Sequence, residues 1–532
     1  MYNAQTSIYE FAKQGLEENR RRIALRFYGG SMTYGELFFR IDSVADHLAA
    51  LGVGRGTVVT IDLPNCPQAV MAVYAVAKLG GVCNMVHPLM PIEGLRENMQ
   101  KTKSRVLITG DHFFQCGEVD YAETLIYTSL EAHMGSLAKL IYKLKSRARR
   151  PEKAIPFEPM ERPGAAPAHI PEQTALADCC VCYMHSSGTT GTPKIVMQSH
   201  GSFNRYVCNT REFLPGYDMS KSATPAVLPM FHAVGLVMIF HQFIANKGQL
   251  LILARYSAKD VIDLIRRYHA DMLGGVPSMY WSLLQETGFN AKNMSSLKQC
   301  YVFGDRVQPQ LKDQIDLRLD PTGERHILFE AYSMSEIAPG GASDGPYTPY
   351  RRESAGKPMP NSRVALLIDG AFSLGPGEGE LLLRGNTMML GYLSPEDEVD
   401  VYWHENGERW IRSGDYGRID ADGYVYFIDR IKNVIVHKGY NVYPSEVEGV
   451  LRTLSIVEDV CVVGADGKSS GTQCVRACVV LRSGTVPAEA EKQIRTAAFE
   501  RLPRYAVPEQ IAFWDSLPKN AMGKIDRTEL AK

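Results

Sequence analysis

The sequence predicts an α/β multidomain protein: a large N-terminal domain of helix-flanked, mostly parallel sheets plus a small β unit, then a small α+β C-terminal domain. The chain has 532 residues, which is too long for one ordinary domain. Strand and helix signals alternate near the N-terminus and again from Val227 to Phe329, which is typical of parallel sheets covered by helices. After Arg430 the pattern changes to that of a small compact domain.

The N-terminal elements follow from hydrophobic periodicity. Residues 34–51 place apolar side chains on one face at helical spacing, which predicts an amphipathic helix. Residues 58–63 and 105–109 are short apolar runs typical of buried strands, and the Ala/Val-rich residues 67–79 predict a helix between them. Residues 365–392 combine strand signals with Gly/Pro turns, which predicts an antiparallel β unit.

The domain boundary is predicted just after the last strand of the large domain. Residues 423–428 predict that strand, and the boundary is predicted at 431–433. The large domain then covers residues 1–430 and the small one covers residues 434–532.

Residues 133–174 interrupt the strand–helix alternation. Residues 137–150 are basic and amphipathic, and a Pro/Ala-rich stretch follows at 151–171. Two interpretations stay open, a surface excursion between subdomains and a weak peripheral contact with anionic lipid. The apolar face and the cations of this segment are Leu137, Leu140, Ile141 and Leu144, and Lys139, Lys143, Lys145, Arg147, Arg149 and Arg150.

Composition excludes several classes of function. With 58 basic and 59 acidic residues, the chain has no electrostatic footprint for nucleic acid. No apolar run reaches the length of a membrane span, and residues 1–22 lack a signal peptide, so we expect a cytoplasmic protein. The eleven cysteines lie mostly in apolar runs, so we expect buried reduced thiols, with no metal cluster and no disulfide.

The most informative motif is a loop rich in hydroxyl side chains and glycine. Residues 183–194 read Tyr-Met-His-Ser-Ser-Gly-Thr-Thr-Gly-Thr-Pro-Lys and follow an apolar run, 179–184, that predicts a buried strand. Glycines let backbone N–H groups approach a polyanion, hydroxyls add donors, and Lys194 adds a positive charge. The Gly-Lys-Ser/Thr ending of a Walker A loop is missing. On these residues alone, phosphate binding and a plain polar loop both stay open.

The order of residues in this loop resembles the phosphate-binding signature of the adenylate-forming superfamily. That superfamily comprises acyl-CoA synthetases, firefly-type luciferases and the adenylation domains of peptide synthetases. One departure is Ile195, where the family usually has glycine. Five further segments match in the family's order, so the resemblance covers nearly the whole chain. The ATP-binding residues that it implies in this loop are Ser186, Ser187, Gly188, Thr189, Thr190, Gly191 and Lys194.

The segment at 228–235 implies a gate for the carboxylate substrate. By resemblance, His232 stands where the family has an aromatic or histidine gate; a histidine buried in the core is the alternative. Members that activate amino acids carry an aspartate at this position to pair with the substrate ammonium. Because burying an unpaired ammonium is costly, His232 indicates an acid without an α-amino group.

Two segments at the expected adenine and metal site match less completely. At 302–307 only Gly304 matches the family's Gly-Gly-Ala-Pro stretch, and a solvated turn is the alternative. The segment at 331–336 resembles the family's Tyr-Gly-x-Thr-Glu. The resemblance implies that Tyr332 stacks on adenine, that Ser335 meets the α-phosphate and that Glu336 holds Mg²⁺. One carboxylate plus phosphate oxygens is a sensible Mg²⁺ site.

The resemblance also implies the ribose contacts. Asp415 would accept both ribose hydroxyls, with Arg430 as a second contact. The run at 420–423 invites a calcium interpretation, which we reject because the twelve-residue loop with its terminal Glu is absent.

The small domain carries the remaining implied roles. Lys432 falls at the family's hinge, so this domain is expected to be mobile. The loop with Lys438, Gly439 and Tyr440 resembles the one that lines the coenzyme A tunnel. Lys524, in the closing motif at 518–524, is the expected catalytic lysine.

The resemblance implies an ATP-dependent acyl-CoA ligase that uses ATP, Mg²⁺, coenzyme A and an apolar, fatty or aromatic, carboxylic acid. Because the chain ends eight residues after Lys524, with no carrier domain, a free thiol acceptor is expected. The alternatives are an acyl-AMP ligase that loads a carrier-protein thiol, a luciferase-like oxygenase and a non-catalytic nucleotide-binding homologue.

Overall fold

The computed structural model describes residues 3–111, 119, 121–145, 151–164, 166–186, 194–466, 473–519 and 525–532. The chain divides into two compact units. The first comprises residues 1–364 and 383–411, and the second comprises residues 365–382 and 412–532.

The helices of the described residues begin and end as follows: α1 Ile8–Lys13, α2 Leu16–Asn19, α3 Tyr34–Ala50, α4 Pro67–Lys78, α5 Ile92–Thr102, α6 Ser136–Lys145, α7 His200–Phe213, α8 Gln242–Ala245, α9 Ala258–Tyr268, α10 Pro277–Leu284, α11 Pro309–Leu319, α12 Pro444–Leu451, α13 Pro487–Arg501 and α14 Arg527–Ala531. A π-helix, Val234–His241, precedes α8.

The strands are β1 Ile23–Phe27, β2 Gly30–Thr33, β3 Val58–Asp62, β4 Val82–Met85, β5 Val106–Gly110, β6 Thr124–Thr128, β7 Ile155–Pro156, β8 Cys180–His185, β9 Ile195–Ser199, β10 Ala223–Ala226, β11 Gln249–Ile252, β12 Met272–Gly275, β13 Gln299–Val302, β14 Leu328–Tyr332, β15 Ala342–Ser343, β16 Lys357–Pro358, β17 Ser362–Ile368, β18 Ala371–Ser373, β19 Gly377–Gly385, β20 Gly391–Tyr392, β21 Tyr402–Glu405, β22 Glu408–Ile419, β23 Val425–Arg430, β24 Ile435–His437, β25 Tyr440–Val442, β26 Val457–Asp466, β27 Gln473–Leu481 and β28 Gln510–Trp514.

Among the described residues, three sheets lie wholly within the first unit. The largest has the order β20-β9-β8-β4-β3-β5-β6-β7, and its strands are parallel except where β9 pairs with β8 and β20. A second sheet has the order β12-β13-β14-β15-β16, of which the first three are parallel. The third has the order β10-β11-β1-β2. Helix-flanked, mostly parallel sheets confirm the predicted fold class.

The second unit is small and contains both helices and strands. β26, β27 and β28 form one sheet, and β24 and β25 form a hairpin. Apolar side chains of α12 and α13 pack on the central strands, with Val447, Leu451 and Ile494 among the most buried. This confirms the predicted small α+β C-terminal body.

The predicted N-terminal elements are present with small differences at their ends. The helix predicted at 34–51 is α3, which begins after Thr33 because that residue and Glu36 form a capping box. The helix predicted at 67–79 is α4, with Pro67 at its first turn. Both helices bury apolar faces against each other and their sheets. The strands predicted at 58–63 and 105–109 are β3 and β5.

The later predictions have similar outcomes. The β unit predicted at 365–392 contains β17 and β18, an antiparallel pair, followed by β19. The basic amphipathic segment at 137–150 is helical as far as its described residues go, in α6. Among the described residues, no helix is long and apolar enough to cross a bilayer.

Candidate functional site

Parallel strands of the first unit end at one edge of their sheet, and the residues predicted to contact adenine lie at or just after these strand ends. β13 and β14 pair with Val302 opposite Glu330, so Gly304 and Tyr332 each lie two residues beyond that pair. Gly304 has a φ of 85°, a left-handed conformation that favours glycine and lets the chain turn past β13. Tyr332 is buried. Ligands of parallel α/β sheets bind at this kind of edge.

Glu336 lies in a short turn just past β14 and is buried. Its Oε1 accepts a hydrogen bond of 2.7 Å from the hydroxyl of Tyr392. Burial and the neighbouring carboxylate raise the pKa of Tyr392, so the phenol stays a proton donor. Gln198 of β9 donates from Nε2 to the carbonyl of Ser335 at 2.6 Å. The turn is thereby tied to the strand that follows the hydroxyl-rich loop.

The two ends of the hydroxyl-rich loop are held together by the backbone. The N–H of Ser186 donates to the carbonyl of Lys194 at 2.9 Å, and β8 and β9 pair with His185 opposite Ile195. Ile195 is the buried first residue of β9, so the bulk of this departure points into the protein. The loop therefore closes a β-hairpin. Residues that lie outside those described are Ser187, Gly188, Thr189, Thr190 and Gly191.

Lys194 and Glu336 share Tyr392 as a neighbour. The Nζ of Lys194 lies 4.8 Å from the centroid of the Tyr392 ring and donates to the carbonyl of Asp397 at 2.8 Å. One tyrosine therefore contacts both the cation predicted to bind phosphate and the carboxylate predicted to bind Mg²⁺. Sequence reasoning missed Tyr392. It reaches the site because β20 pairs with β9, a pairing that leaves no signal near the loop in the sequence.

Replacing Tyr392 with Phe should lower the activity of the candidate site without abolishing it. The ring that faces Lys194 stays, while Glu336 loses a hydrogen bond to a charged group, worth about 1.5–3 kcal/mol. We expect pyrophosphate release to fall by about 10- to 100-fold, with a higher Mg²⁺ requirement. The measurement is the initial rate across a Mg²⁺ titration.

A matched control is Tyr256→Phe, which removes a 2.8 Å hydrogen bond to the Met279 carbonyl. If this variant loses as much activity as Tyr392→Phe, the loss reports general destabilisation and not the contact with Glu336.

Asn65 clamps the loop that carries His232. Its Nδ2 donates to the carbonyl of Leu228 at 3.0 Å, and its Oδ1 accepts the N–H of Met230 at the same distance. The half-buried ring of His232 packs on Phe231, with 4.5 Å between ring centroids. The backbone therefore fixes the histidine just before the π-helix, a helix type that is frequent at functional sites.

Four separate parts of the chain supply an apolar surface next to this loop. A Cβ at Gly274 would lie 3.0 Å from Ile239 Cδ1, 3.4 Å from Leu228 Cδ1 and 3.8 Å from Phe303 Cε2. These residues belong to the π-helix, the His232 loop and the ends of β12 and β13. All three side chains are buried. Phe303 is the bulkiest, and it stands where the resemblance expects glycine.

The second unit holds the predicted ribose and hinge residues. Asp415 and Arg430 are opposite each other on β22 and β23, and the Nε of Arg430 lies 2.9 Å from Oδ1 of Asp415. Asp415 is buried, and its N–H donates to the hydroxyl of Ser413 at 3.0 Å. The ion pair fixes a carboxylate, the group type that can accept two ribose hydroxyls. Lys432 lies in a short turn immediately after β23.

The predicted coenzyme A loop is the tip of the β24–β25 hairpin. Lys438 and Gly439 form its two-residue turn, with φ of 52° and 82°. The Nζ of Lys438 lies 2.7 Å from Oε1 of Glu509. Tyr440 stacks on Tyr505 with 4.6 Å between centroids and 9° between ring planes. These contacts hold the turn in place while leaving Gly439 open to approach.

The donor chemistry at Glu336 suits Mg²⁺, which prefers oxygen ligands and few protein carboxylates. Within the described ranges, no group of three or more His, Cys, Asp or Glu could hold a metal by itself. A cation at Glu336 would therefore need phosphate oxygens as further ligands. Lys524, the predicted catalytic lysine, lies outside the described residues.

Comparison with known proteins covers both parts of the chain. The model of the AMP-binding enzyme family matches residues 11–393, and that of the AMP-binding enzyme C-terminal domain matches residues 446–524. The chain is 26% identical over 529 residues to a long-chain-fatty-acid–CoA ligase of Bacillus subtilis, covering 96% of this chain and 91% of that protein. It is 28% identical over 511 residues to the 2-succinylbenzoate–CoA ligase of the same organism, covering 96% and 94%.

A solved structure agrees over nearly the full length. O-succinylbenzoate coenzyme A synthetase from Bacillus subtilis, in complex with AMP, superposes with a TM-score of 0.81 at 25% identity. The match covers 99% of this chain and 98% of that one.

Proposed function

The chain belongs to the AMP-binding enzyme family, and from that premise we propose that it is an ATP-dependent acyl-CoA ligase. It activates a carboxylic acid as acyl-AMP with release of pyrophosphate, and then transfers the acyl group to coenzyme A. Homologues are named CoA ligases, which are AMP-forming acid–thiol ligases. The observation that carries the proposal is the contact of Tyr392 with both Glu336 and Lys194.

In the first half-reaction a carboxylate oxygen attacks the α-phosphorus of ATP, and the bond from that phosphorus to the pyrophosphate oxygen breaks. Catalysis is then a matter of positioning and charge stabilisation. Lys194 and the loop at 186–194 bind the leaving phosphates. Glu336 holds Mg²⁺, which when bound neutralises charge on the phosphate oxygens. Lys524 supplies a positive charge between the carboxylate and the α-phosphate.

Further residues are proposed to position the nucleotide. Tyr332 stacks on adenine beside Gly304, and the hydroxyl of Ser335 donates to the α-phosphate. Asp415 accepts hydrogen bonds from the ribose hydroxyls, and Arg430 holds that carboxylate in place.

In the second half-reaction the thiol sulfur of coenzyme A loses its proton and attacks the acyl carbon, and the bond from that carbon to the AMP oxygen breaks. The hairpin tip with Lys438, Gly439 and Tyr440 guides the thiol. A swing of the small domain about Lys432 removes Lys524 and brings this tip to the site.

The acid is apolar and lacks an α-ammonium group. The side chains of Leu228, Ile239 and Phe303 converge beside the His232 loop, and apolar walls suit a fatty or aromatic acyl group. His232 offers no carboxylate for an ammonium, so standard amino acids are expected to be poor substrates. Phe303 fills space that a glycine would leave open, which favours a short or flat acyl group over a long chain.

Shortening Phe303 should therefore shift the preferred acid. We expect Phe303→Leu to raise kcat/KM for longer acids relative to shorter ones by about 10- to 100-fold, because one extra methylene accommodated in an apolar pocket is worth about 1–3 kcal/mol. The measurement is kcat/KM for a series of straight-chain acids. Phe289→Leu, at a buried phenylalanine of a neighbouring core, is the matched control. An unchanged preference would show that Phe303 is not in the acyl pocket.

The proposal as a whole is tested by a pyrophosphate-release screen over carboxylic acids with ATP and Mg²⁺, with and without coenzyme A. AMP and an acyl-CoA should be the products with an apolar acid. Formation of ADP and phosphate would overturn the adenylation step. Turnover only with a carrier-protein thiol would favour the acyl-AMP ligase alternative. A non-catalytic homologue, which would give no pyrophosphate with any acid, is disfavoured because Glu336 and Lys524 are both present.

A further inference from the structure

Tyr402 carries a buried hydroxyl that has no hydrogen-bond partner among the described residues. The residue begins β21 and lies directly opposite the buried Ile411 of β22. Side chains that are directly opposite in an antiparallel pair project from the same face, so the phenol points into the protein. Because a buried polar group without a partner costs free energy, this hydroxyl is a candidate contact for a bound molecule.

A short turn just before β21 joins Tyr402 to the candidate functional site. Oε1 of Glu398, in this turn, accepts the N–H of Tyr392 at 3.0 Å, and the carbonyl of Glu398 accepts the N–H of Val401 at 3.3 Å. The preceding carbonyl of the same turn accepts a hydrogen bond of 2.8 Å from the Nζ of Lys194. Tyr402 therefore follows directly on a turn that contacts both the tyrosine bonded to Glu336 and the cation predicted to bind phosphate.

The charges that act on the phenol include the carboxylate predicted to bind Mg²⁺. Burial raises the pKa of Tyr402, and the charges of Glu398 and Glu336 raise it further against the opposing effect of Arg409. The guanidinium of Arg409 lies 4.6 Å from the centroid of the Tyr402 ring. The phenol therefore stays protonated and can donate a hydrogen bond, yet neither carboxylate accepts one from it in the structure.

We propose that Tyr402 is a further ATP-binding residue, whose hydroxyl donates a hydrogen bond to an oxygen of the leaving pyrophosphate group. This inference rests on the proposed function, which places the leaving phosphates next to Lys194 and a cation at Glu336. A phosphate oxygen is an acceptor of the kind that the buried hydroxyl lacks. Tyr402 then contributes to the binding of ATP and not to the binding of AMP, which has no leaving phosphates.

The test is calorimetric titration of the full chain with ATP and with AMP, both in the presence of Mg²⁺, for the parent and for Tyr402→Phe. We expect the Kd for ATP to rise about tenfold or more, because a hydrogen bond to a charged group is lost, while the Kd for AMP stays the same. The ligand-free variant should melt no lower than the parent, since the substitution keeps the ring and removes only a hydroxyl without a partner.

Tyr217→Phe is the matched control. Tyr217 is also half-buried, but its hydroxyl donates to Asp271 at 2.7 Å, and Asp271 directly precedes β12, at the end of that strand away from the adenine edge. This variant should melt lower than the parent and keep the parent's Kd for ATP, because it breaks a hydrogen bond of the folded protein and none to the nucleotide.

The outcomes separate this inference from the proposed function. If the parent binds both nucleotides and Tyr402→Phe binds ATP as tightly as the parent, the role of Tyr402 is overturned and the proposed function stands. An equal loss of affinity for ATP and AMP, or a lower melting temperature of ligand-free Tyr402→Phe, would show that the hydroxyl does not act on the leaving phosphates, and would also overturn the inference. If the parent binds neither nucleotide, the proposed function and this inference are both wrong.

Discussion

Lys524→Ala should lower pyrophosphate release by about 10²–10³ while leaving the conversion of pre-formed acyl adenylate to thioester nearly intact. A single positioned charge in a desolvated site contributes roughly 3–4 kcal/mol to the adenylation step. In the second half-reaction the lysine has no expected role, because the domain swing has removed it. The measurement compares pyrophosphate release with thioester formation from synthetic acyl adenylate in the same variant.

The surroundings of Lys524 suggest that this substitution will not unfold the small domain. Lys519 and Ile525 form an isolated β-bridge on either side of the lysine. Beyond it, the Nη2 of Arg527 lies 2.9 Å from the buried carboxylate of Glu448, and this ion pair anchors α14. Contacts of described residues therefore hold the segment on both sides of the lysine.

Lys519→Ala is the control for this prediction, since Lys519 is exposed in the same segment. It should retain both half-reactions. If Lys519→Ala and Lys524→Ala lose pyrophosphate release equally, the segment and not the charge is responsible. If Lys524→Ala loses both half-reactions while remaining folded, the domain-swing mechanism is wrong for this chain.

The sequence predicted local structure well where hydrophobic periodicity was strong. The helix at 34–51 and the strand at 58–63 appear within a residue or so of their predicted ends. This agreement arises because the apolar residues that predicted them are buried in the folded structure. It also predicted a buried strand at 179–184 ahead of the hydroxyl-rich loop, which is β8, Cys180–His185. These are properties of short stretches of chain, and a single sequence contains them.

Contacts that depend on the pairing of strands far apart in the sequence could not be predicted from local sequence patterns. Tyr392 contacts Glu336 only because β20 adds to the edge of β9, and nothing within the sequence around residue 336 records that pairing. The π-helix was equally hidden, since an almost wholly apolar segment gives no periodicity by which helix types can be told apart. The sequence alone shows that Phe303 departs from the family's pattern. Only the structure shows that the Phe303 side chain lies together with Leu228 and Ile239 beside Gly274.

Gly439→Trp should have the opposite effect to Lys524→Ala, lowering thioester formation by about 10² or more while sparing pyrophosphate release. A Cβ at Gly439 would meet no atom within 4 Å, so a side chain can begin there without a clash, and we expect it to extend into the space around the hairpin tip. We expect that space to hold the thiol, and a displacement of about 1 Å in a reacting group can cost 10² in rate.

The effect of backbone strain at residue 439 must be separated from the effect of side-chain bulk. Its φ of 82° strains any L-residue by about 1–2 kcal/mol. Gly439→Ala introduces that strain without the bulk, and Gly484→Trp places the same bulk in another open turn with a φ of 85°. Both controls should keep thioester formation within a few-fold of the parent. If Gly439→Ala is as defective as Gly439→Trp, turn geometry explains the loss; if Gly484→Trp is as defective, general destabilisation does. Only a loss confined to Gly439→Trp places the thiol path at this hairpin.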